Sequence, residues 1–206
     1  MNASPVVVKV GGSFAHYPGL QSHVAGLANA AGRVAIVPGG GPFADQVRSE
    51  QRRIGFDDGA AHRMALLAMA QFGCALASFS PVLAAAGSID DVRKCLDGGK
   101  VPVWLPLQLL DGEPAIPETW DATSDSLAVW LAGRIGAGRL IFLKRARKPR
   151  SMKLADLVAD GFLDPLVPEF LAEARVEAWL CGPLNLKALA TALAAGSLVG
   201  SRIDLA

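Results

Sequence analysis

Glycines follow two apolar stretches of this chain, in a pattern typical of backbone that binds phosphate groups. The run Val6–Val10 leads into Gly11-Gly12-Ser13, and the run Arg33–Val37 leads, through a proline, into Gly39-Gly40-Gly41. A glycine turn at the carboxyl end of a parallel strand lets backbone N–H groups approach an anion, and the dipole of the next helix adds to the attraction. One such turn is weak support, whereas two favour a phosphorylated ligand. The sequence contains neither GxxxxGK[ST] nor GxGxxG, which disfavours a Walker loop and weakens a dinucleotide-binding interpretation.

Two charged residues stand where a buried charge would need a partner. Lys9 lies inside the first apolar run, two residues before Gly11, and a lysine there costs free energy unless it is paired or faces a cavity. A cation that neutralises a transferring phosphate group is favoured over a lysine that reaches solvent from an edge strand. Asp125 lies within Thr123–Ser126 at a predicted helix start. A carboxylate there either caps the helix or holds Lys9 or a magnesium ion.

His62 and a basic segment are further candidates, each with an ordinary structural alternative. His62 lies off the centre of an apolar helix stripe that includes Met64 and Leu67, so a surface or hydrogen-bonded histidine is slightly favoured over a ligand contact. The segment from Lys144 to Arg150 directly follows an apolar run and contains no acidic residue. A solvated loop, an RNA-binding patch and a polyphosphate site all fit this segment.

Composition limits the class of protein. The 206 residues include 20 Lys and Arg against 19 Asp and Glu, a net charge of +1, and 51% are hydrophobic. This balance argues against a globally basic nucleic-acid-binding protein and against a disordered chain. The apolar runs of the sequence, Val82–Ala86 among them, are far shorter than the roughly 20 residues of a membrane span, and the amino terminus does not resemble a signal peptide.

The cysteines and the missing motifs exclude several kinds of site. The three cysteines lie far apart without a CxxC pair, which favours buried free thiols in a reducing cytoplasm over disulfides or a zinc site. The chain has no HExxH and no GxSxG, so zinc-dependent and serine hydrolases lose most of their support.

Alternation of apolar strands and helices predicts an α/β fold. Strands are predicted at Val6–Val10, Arg33–Val37, Lys100–Leu105, Arg139–Leu143 and Val176–Leu180. Helices are predicted at about 18–31, 42–53, 57–72, 88–96, 127–135, 164–174 and 184–195, with Thr123–Ser126 as a cap. Pro102 predicts that its strand lies at a sheet edge or ends early. Residues 108–120 are predicted to form a loop, and the seam between two halves is expected just before Thr119.

Taken together, the motifs resemble those of the amino acid kinase superfamily. Lys9-Val-Gly-Gly-Ser13, Pro38-Gly-Gly-Gly-Pro-Phe43 and Thr123-Ser-Asp-Ser126 occur in the family's order, and the resemblance spans nearly the whole chain. It implies a three-layer αβα sandwich around a mainly parallel sheet. It also implies one domain, 1–206, with an acceptor-binding half at 1–118 and a reduced nucleotide-binding half at 119–206. The family transfers the γ-phosphoryl group of ATP to a carboxylate, carbamate or phosphate.

Within the superfamily, the chain is similar to the phosphate-accepting branch, which includes uridylate and isopentenyl phosphate kinases. Residues 38–44, 61–63 and 120–126 are most similar to the aminomethylfuran-methyl phosphate kinase family of methanofuran-type cofactor synthesis. The resemblance implies a cytoplasmic kinase of one-carbon-carrier biosynthesis that uses ATP and Mg²⁺, the ion being carried by ATP. It implies a small phosphorylated substrate and a homo-oligomer, a dimer or larger, with no nucleic acid or membrane as partner.

The resemblance also implies roles for the motif residues. Lys9 would stabilise charge on the moving phosphoryl group, and Asp125 would organise that lysine and the magnesium–phosphate geometry. The residues implied in binding nucleotide phosphates are Gly11, Gly12, Ser13, Ser124, Lys144, Arg145 and Arg147. The residues implied in binding the acceptor are Gly39, Gly40, Gly41 and His62.

The chain departs from the family pattern on the nucleotide side. After the strand 139–143 the family usually has Thr-Asp-Val-Asp-Gly-Val-Tyr, whereas this chain has the basic segment 144–150. Only Ser151-Met-Lys153 remains of a later stretch that supplies a second phosphate-binding lysine in many members. ATP binding is therefore predicted to be either remodelled around the basic segment or lost. In the second case the chain would be a non-catalytic, ligand-binding or regulatory subunit.

Overall fold

A seven-stranded sheet forms the centre of the computed structural model, which describes residues 4–145 and 149–205. The strands are β1 (Val6–Val10), β2 (Val34–Pro38), β3 (Leu83–Ala86), β4 (Val101–Trp104), β5 (Arg139–Leu143), β6 (Glu177–Cys181) and β7 (Ser201–Arg202). Their order is β3-β4-β2-β1-β5-β6-β7. The β6–β7 pair is antiparallel and the other neighbours are parallel. Because β1 lies in the middle of this sheet, the edge-strand alternative for Lys9 is wrong.

Helices cover both faces of the sheet and complete the α/β sandwich that the sequence predicted. They are α1 (Leu20–Gly26), α2 (Gly41–Ile54), α3 (Asp58–Ala77), α4 (Ile89–Asp97), α5 (Leu107–Leu110), α6 (Ser124–Ile135), α7 (Leu154–Ala159), α8 (Val167–Ala174) and α9 (Leu186–Ala194). Short 3-10 turns occupy Gly12–His16, Leu27–Ala30 and Pro183–Asn185. Among the described residues, no helix combines the length and apolar character that crossing a membrane would need.

The pleat of β1 decides which face of the sheet carries Lys9. Val7 packs in a core cluster with α6 and α8, whereas Val8 and Val10 pack in the opposite cluster with α1 and α9. Successive side chains of a strand point to opposite faces, so Lys9 shares the face of Val7 and is directed toward α6. Burial on both faces also explains the continuous apolar runs of the central strands.

The prediction for Pro102 is wrong, because β4 pairs with β3 on one side and with β2 on the other. The N–H group of Val101 donates to the carbonyl of Val82 at 3.0 Å. The N–H group of Leu105 donates to the carbonyl of Ala86 at 2.8 Å, again on the β3 side. Successive N–H groups of a strand alternate in direction, so the position without a donor faces β2, where the pairing is short. An interior strand therefore loses one hydrogen bond without being displaced to the edge.

Several short elements were absent from the sequence prediction. β3 is the alanine-rich end of the apolar run Val82–Ala86, α5 overlaps the start of the predicted loop 108–120, and α7 follows the basic segment. Alanine is depleted in strands, so β3 carries little local signal, and tertiary pairing with β4 determines its structure.

The cysteines are free, but only one of them is fully buried. Cys74 is exposed and Cys95 is partly exposed, so the expectation of three buried thiols is wrong for both. Cys181 is buried at the end of β6, and this burial raises the pKa of its thiol to about 12.

Candidate active site

One carboxylate holds two lysines at the centre of the molecule. Lys9 Nζ, from β1, lies 2.6 Å from Oδ1 of Asp125 in the first turn of α6. Lys144, which directly follows β5, pairs with Oδ2 of the same carboxylate. Lys9 is 4% exposed and Asp125 is 2% exposed. The three side chains, defined here as the Lys-Asp-Lys cluster, therefore place one buried ammonium group and one partly exposed ammonium group around one carboxylate.

The charges of this cluster change the pKa values of its members. Burial by itself would raise the pKa of the Asp125 carboxyl, but the ammonium groups of Lys9 and Lys144 hold that pKa below its ordinary value. Burial and the adjacent charge of Lys9 lower the pKa of Lys144, although Asp125 opposes the change. One excess positive charge remains in the cluster, and the phosphate groups of a ligand would neutralise it.

The amino terminus of α6 is capped by a carboxylate from a distant segment rather than by its own residues. Asp164 accepts hydrogen bonds from the backbone N–H groups of Thr123 at 3.0 Å and Ser126 at 3.1 Å. It also accepts from the hydroxyl groups of Thr123 at 2.7 Å and Ser126 at 3.1 Å. Thr123 is the N-cap residue, as the predicted cap at 123–126 allows, but its side chain makes no cap hydrogen bond and the helix begins at Ser124 rather than at residue 127. Asp164 was missed because its function depends on a contact across about 40 residues of chain.

The two glycine turns pack directly against each other. A Cβ atom on Gly12 would overlap the backbone nitrogen of Gly41, and one on Gly39 would overlap the backbone nitrogen of Gly12. A Cβ on Gly11 would lie 2.8 Å from the carbonyl oxygen of Leu143 in β5. Gly41 also has a φ of 55°, which favours glycine. Part of the glycine pattern is therefore required by packing, whatever ligand the turns bind.

A cleft of about 280 Å³ brings most of the predicted residues together. Those that line it are Lys9, Gly11, Gly12, Ser13, Gly40, Gly41, His62, Ser124 and Lys144. Gly39 packs against the backbone of Gly12 and is not among the described residues that line the cleft. Asp125 is not among the described residues that line the cleft, but it pairs with Lys9 and Lys144, which do line it.

Three further side chains that line the cleft have groups suited to a small anionic ligand. His62 is 5% exposed, and its Nε2 atom has no hydrogen-bond partner within the part of the chain that the structure describes. The guanidinium group of Arg48 lies 4.1 Å from the centroid of the Trp120 ring. Trp120 is held in turn by a 2.7 Å hydrogen bond from its Nε1 to Gln51 Oε1.

The sequence analysis identified His62 as a candidate ligand-binding residue, but it did not identify Arg48. Burial and the neighbouring Arg63 lower the pKa of His62, although Glu118 and Asp111 oppose the change. The imidazole is therefore neutral at pH 7. Arg48 was not predicted from the sequence. The available signal was its place on α2, seven residues after the second glycine turn, on the helix whose amino terminus faces the cleft.

A second cavity, of about 510 Å³, adjoins the cleft at Lys144. Its lining is largely apolar and includes Met152, Phe162, Leu180 and Pro183, at the carboxyl ends of β5 and β6. Ligands of open α/β sheets bind at the carboxyl ends of the strands, and both cavities have this location. Among the residues that the structure describes, Lys144 lines both cavities.

The rest of the basic segment lies away from the cluster or outside the described residues. Arg145 is exposed, its Nη1 lies 3.5 Å from the carbonyl oxygen of Ser13, and its guanidinium lies 5.9 Å from the Tyr17 ring. Arg145 is not among the described residues that line either cavity. Arg147 falls outside the described residues, so its predicted contact with nucleotide phosphates stays a prediction.

The described residues include no group of three or more His, Cys, Asp or Glu side chains that would hold a metal ion. Both oxygens of Asp125 are paired with lysines, so this carboxylate does not fit the role of a direct ligand. A magnesium ion at this site would instead be carried by the phosphates of a nucleotide.

Comparison with known proteins assigns the class. The model of the amino acid kinase family matches residues 4–147. The chain therefore belongs to the amino acid kinase family, a class of phosphotransferases.

The similarity of this chain to individual proteins is clearer in fold than in sequence. A stretch of 99 residues is 26% identical to (5-(aminomethyl)furan-3-yl)methyl phosphate kinase from Methanocaldococcus jannaschii, covering 48% of this chain and 45% of that protein. The fold is similar to that of uridylate kinase from Archaeoglobus fulgidus, with a TM-score of 0.70, 20% identity and coverage of 97% and 100%. It is also similar to UMP kinase from Bacillus anthracis, with a TM-score of 0.68, 16% identity and coverage of 99% and 97%. These structures support the predicted αβα fold.

Proposed function

We propose that this protein is an ATP-dependent kinase that transfers the γ-phosphoryl group to a small phosphomonoester. The observation that carries the proposal is the Lys-Asp-Lys cluster, in which Lys144 adjoins both cavities. Phosphoryl transfer needs positioned reactants and cations more than covalent chemistry by the protein. Two lysines on one carboxylate, both lining the cleft and one of them also lining the second cavity, meet that requirement.

Each cavity fits one reactant. The 280 Å³ cleft, with the neutral His62 and the guanidinium of Arg48, would hold the acceptor phosphate. The backbone of Gly40 and Gly41 would support it there. The largely apolar 510 Å³ cavity would hold the base of ATP and direct its phosphates toward Lys144. Six residues between Thr119 and Leu127 also line the cleft, so the proposed halves 1–118 and 119–206 would meet along it.

Lys144 would compensate for the missing second lysine of the family pattern. The later stretch that supplies this lysine in many members is reduced to Ser151-Met-Lys153. Lys144 nevertheless reaches the carboxylate of Asp125, which also holds Lys9. This arrangement favours a remodelled nucleotide site over a lost one.

The reaction would proceed by in-line displacement. An oxygen of the acceptor phosphate forms a bond to the γ-phosphorus, and the bond from that phosphorus to the β–γ bridging oxygen breaks, giving a diphosphate and ADP. Lys9 and Lys144 would neutralise the charge that develops on the transferring group and on the leaving oxygen. Mg²⁺ bound to ATP would supply further charge neutralisation.

The proposed acceptor is aminomethylfuran-methyl phosphate or a similar compound, in the biosynthesis of a one-carbon carrier. The partial match to the Methanocaldococcus jannaschii kinase supports this choice.

We also propose a homo-oligomer in the cytoplasm. Met64 and Leu67 lie on one exposed face of α3, at 37% and 45% exposure, and Cys74 continues that face. The spacing of three and seven residues is typical of a helix that packs against a second helix, here that of another copy.

Magnesium-dependent release of ADP from ATP tests the proposal. Aminomethylfuran-methyl phosphate, isopentenyl phosphate and UMP would each be supplied separately, with Asp125→Asn as the control. We expect release with one acceptor and a loss of at least about 100-fold in the control. A folded protein that is silent with all three acceptors, but binds a phosphorylated ligand, would instead support a non-catalytic ligand-binding or regulatory subunit.

A further inference from the structure

Both carboxylate oxygens of Asp164 accept hydrogen bonds from Thr123 and Ser126, which lie on either side of Asp125 in the sequence. Oδ1 accepts from the hydroxyl of Thr123, and Oδ2 accepts from the backbone of Thr123 and from the backbone and hydroxyl of Ser126. Asp125 lies between these two anchored residues in the first turn of α6. Its backbone is thus fixed on both sides by one distant side chain.

We propose that Asp164 is a positioning residue for phosphoryl transfer, acting through Asp125 by fixing the start of α6 beneath the Lys-Asp-Lys cluster. This inference rests on the proposed function. It assigns a role to a residue outside the motifs that carry the family resemblance, and to the segment between α7 and α8.

The charge of Asp164 distinguishes this arrangement from an ordinary helix cap. The charged side chains that act on it are Asp125 of α6, whose carboxylate raises its pKa together with burial, and Lys9 of β1, which opposes the increase. The carboxylate of Asp164 in turn favours the ammonium form of Lys144, the residue after β5. Asp164 thus adds a second carboxylate close to the Lys-Asp-Lys cluster, whose own three side chains carry one excess positive charge. A neutral hydroxyl or amide would supply the cap but not this negative charge.

The same segment connects the cluster to the apolar cavity. Phe162, two residues before Asp164, lines the 510 Å³ cavity, and Leu163 is buried in the core between them. The residue that fixes Asp125 therefore lies in the same segment as Phe162, which lines the proposed nucleotide site. Displacement of this segment would disturb the cavity wall and the cluster together.

The test compares Asp164→Asn and Asp164→Ala with the matched control Asp160→Asn, which changes an exposed acid in the same segment. Two quantities are measured: kcat and KM for each substrate, and the pKa of the Lys144 amine, followed by the pH dependence of its reaction with an acylating reagent. We expect Asp164→Asn to lower kcat by about 10- to 100-fold with KM changed less than about 3-fold, since a small displacement of a catalytic group has this effect. We also expect the pKa of Lys144 to fall, because the carboxylate that favours its ammonium form is lost.

A merely structural role predicts a different result. If both Asp164 variants lower only the unfolding temperature, while kcat and the Lys144 pKa equal those of the Asp160→Asn control, the inference is wrong. Asp164→Asn keeps one acceptor oxygen and similar volume, so it remains informative where Asp164→Ala fails to fold. If the wild-type protein releases no ADP with any acceptor, the proposed function fails. The Lys144 titration still shows separately whether Asp164 sets the charge of the cluster.

Discussion

At the scale of single residues, the site depends on one buried carboxylate whose two oxygens each pair with a different lysine. Asp125 accepts Lys9 on one oxygen and Lys144 on the other, so removal of Asp125 leaves two neighbouring ammonium groups without a counter-charge between them. The sequence offered the Lys9–Asp125 pair as one alternative among several. It did not indicate that Lys144 would join the pair rather than remain in a solvated loop.

Substitution of the central pair gives the first prediction at this scale. Lys9→Ala and Asp125→Asn should each lower turnover by at least about 100-fold, because each removes or disorders a cation aimed at the transferring group. Steady-state ADP release measures the effect. Arg52→Ala, an exposed arginine at the end of α2, is the control and should retain wild-type turnover. Full activity in both cluster variants would show that the assigned roles are wrong.

The pH dependence of the reaction gives a second prediction. Lys144 must carry a proton to stabilise phosphate, and its pKa lies below the ordinary lysine value because of burial and the charge of Lys9. Its charge is therefore present at low pH and is lost as the pH rises through that lowered pKa. We expect kcat/KM, which reports groups of the free enzyme, to decline at a lower pH than an ordinary lysine would allow. Lys144→Arg should move this alkaline decline upward, since a guanidinium stays charged. An unchanged alkaline limb in that variant would contradict the assignment.

At the scale of elements, the two glycine turns serve packing as well as binding. Gly12 and Gly39 lie where the turn after β1 crosses the turn after β2, and neither has room for a Cβ atom. The same glycine pattern therefore arises from backbone crossing and from anion binding. The pattern marked the correct edge of the sheet, but the sequence alone could not assign each glycine to one of the two causes.

Gly12→Ala tests the packing requirement directly. The added methyl group would overlap the backbone of Gly41, and overpacking of this kind costs about 1–3 kcal/mol or more. Thermal and denaturant unfolding measure the free energy lost. Gly182→Ala is the matched control, since it has a φ of −96° and no heavy atom within 4 Å of its added Cβ. Equal stability of the two variants would mean that the turns do not need to approach so closely.

At the scale of the whole molecule, a sheet with helices on both faces leaves one side of α3 uncovered. Met64 and Leu67 are exposed there although α3 is largely apolar, and a second copy of the chain would cover them. This surface lies on the helix that also carries His62 toward the cleft. Assembly through α3 would therefore restrict the movement of the helix that carries His62.

Leu67→Glu should separate the proposed oligomer into smaller species, because it places a charge in an apolar contact between copies. Light scattering coupled to size-exclusion chromatography measures the mass. Gln71→Glu, on the same exposed face but already polar, is the control and should retain most of the assembly. A wild-type chain that is monomeric at micromolar concentration would refute the proposed homo-oligomer.

The sequence by itself determined the α/β class, the bounds of β1 and β5, the two glycine turns and the residues Lys9 and Asp125. These features depend on local pattern: apolar runs of strand length, glycines at their ends, and charges out of place in such runs. The tertiary structure decided the interior position of β4, the contacts of Lys144 and Asp164 with α6, and the arrangement of Arg48 against Trp120. These features depend on which distant segments meet at the carboxyl edge of the sheet, and side-chain contacts over such separations leave no periodic trace in one sequence.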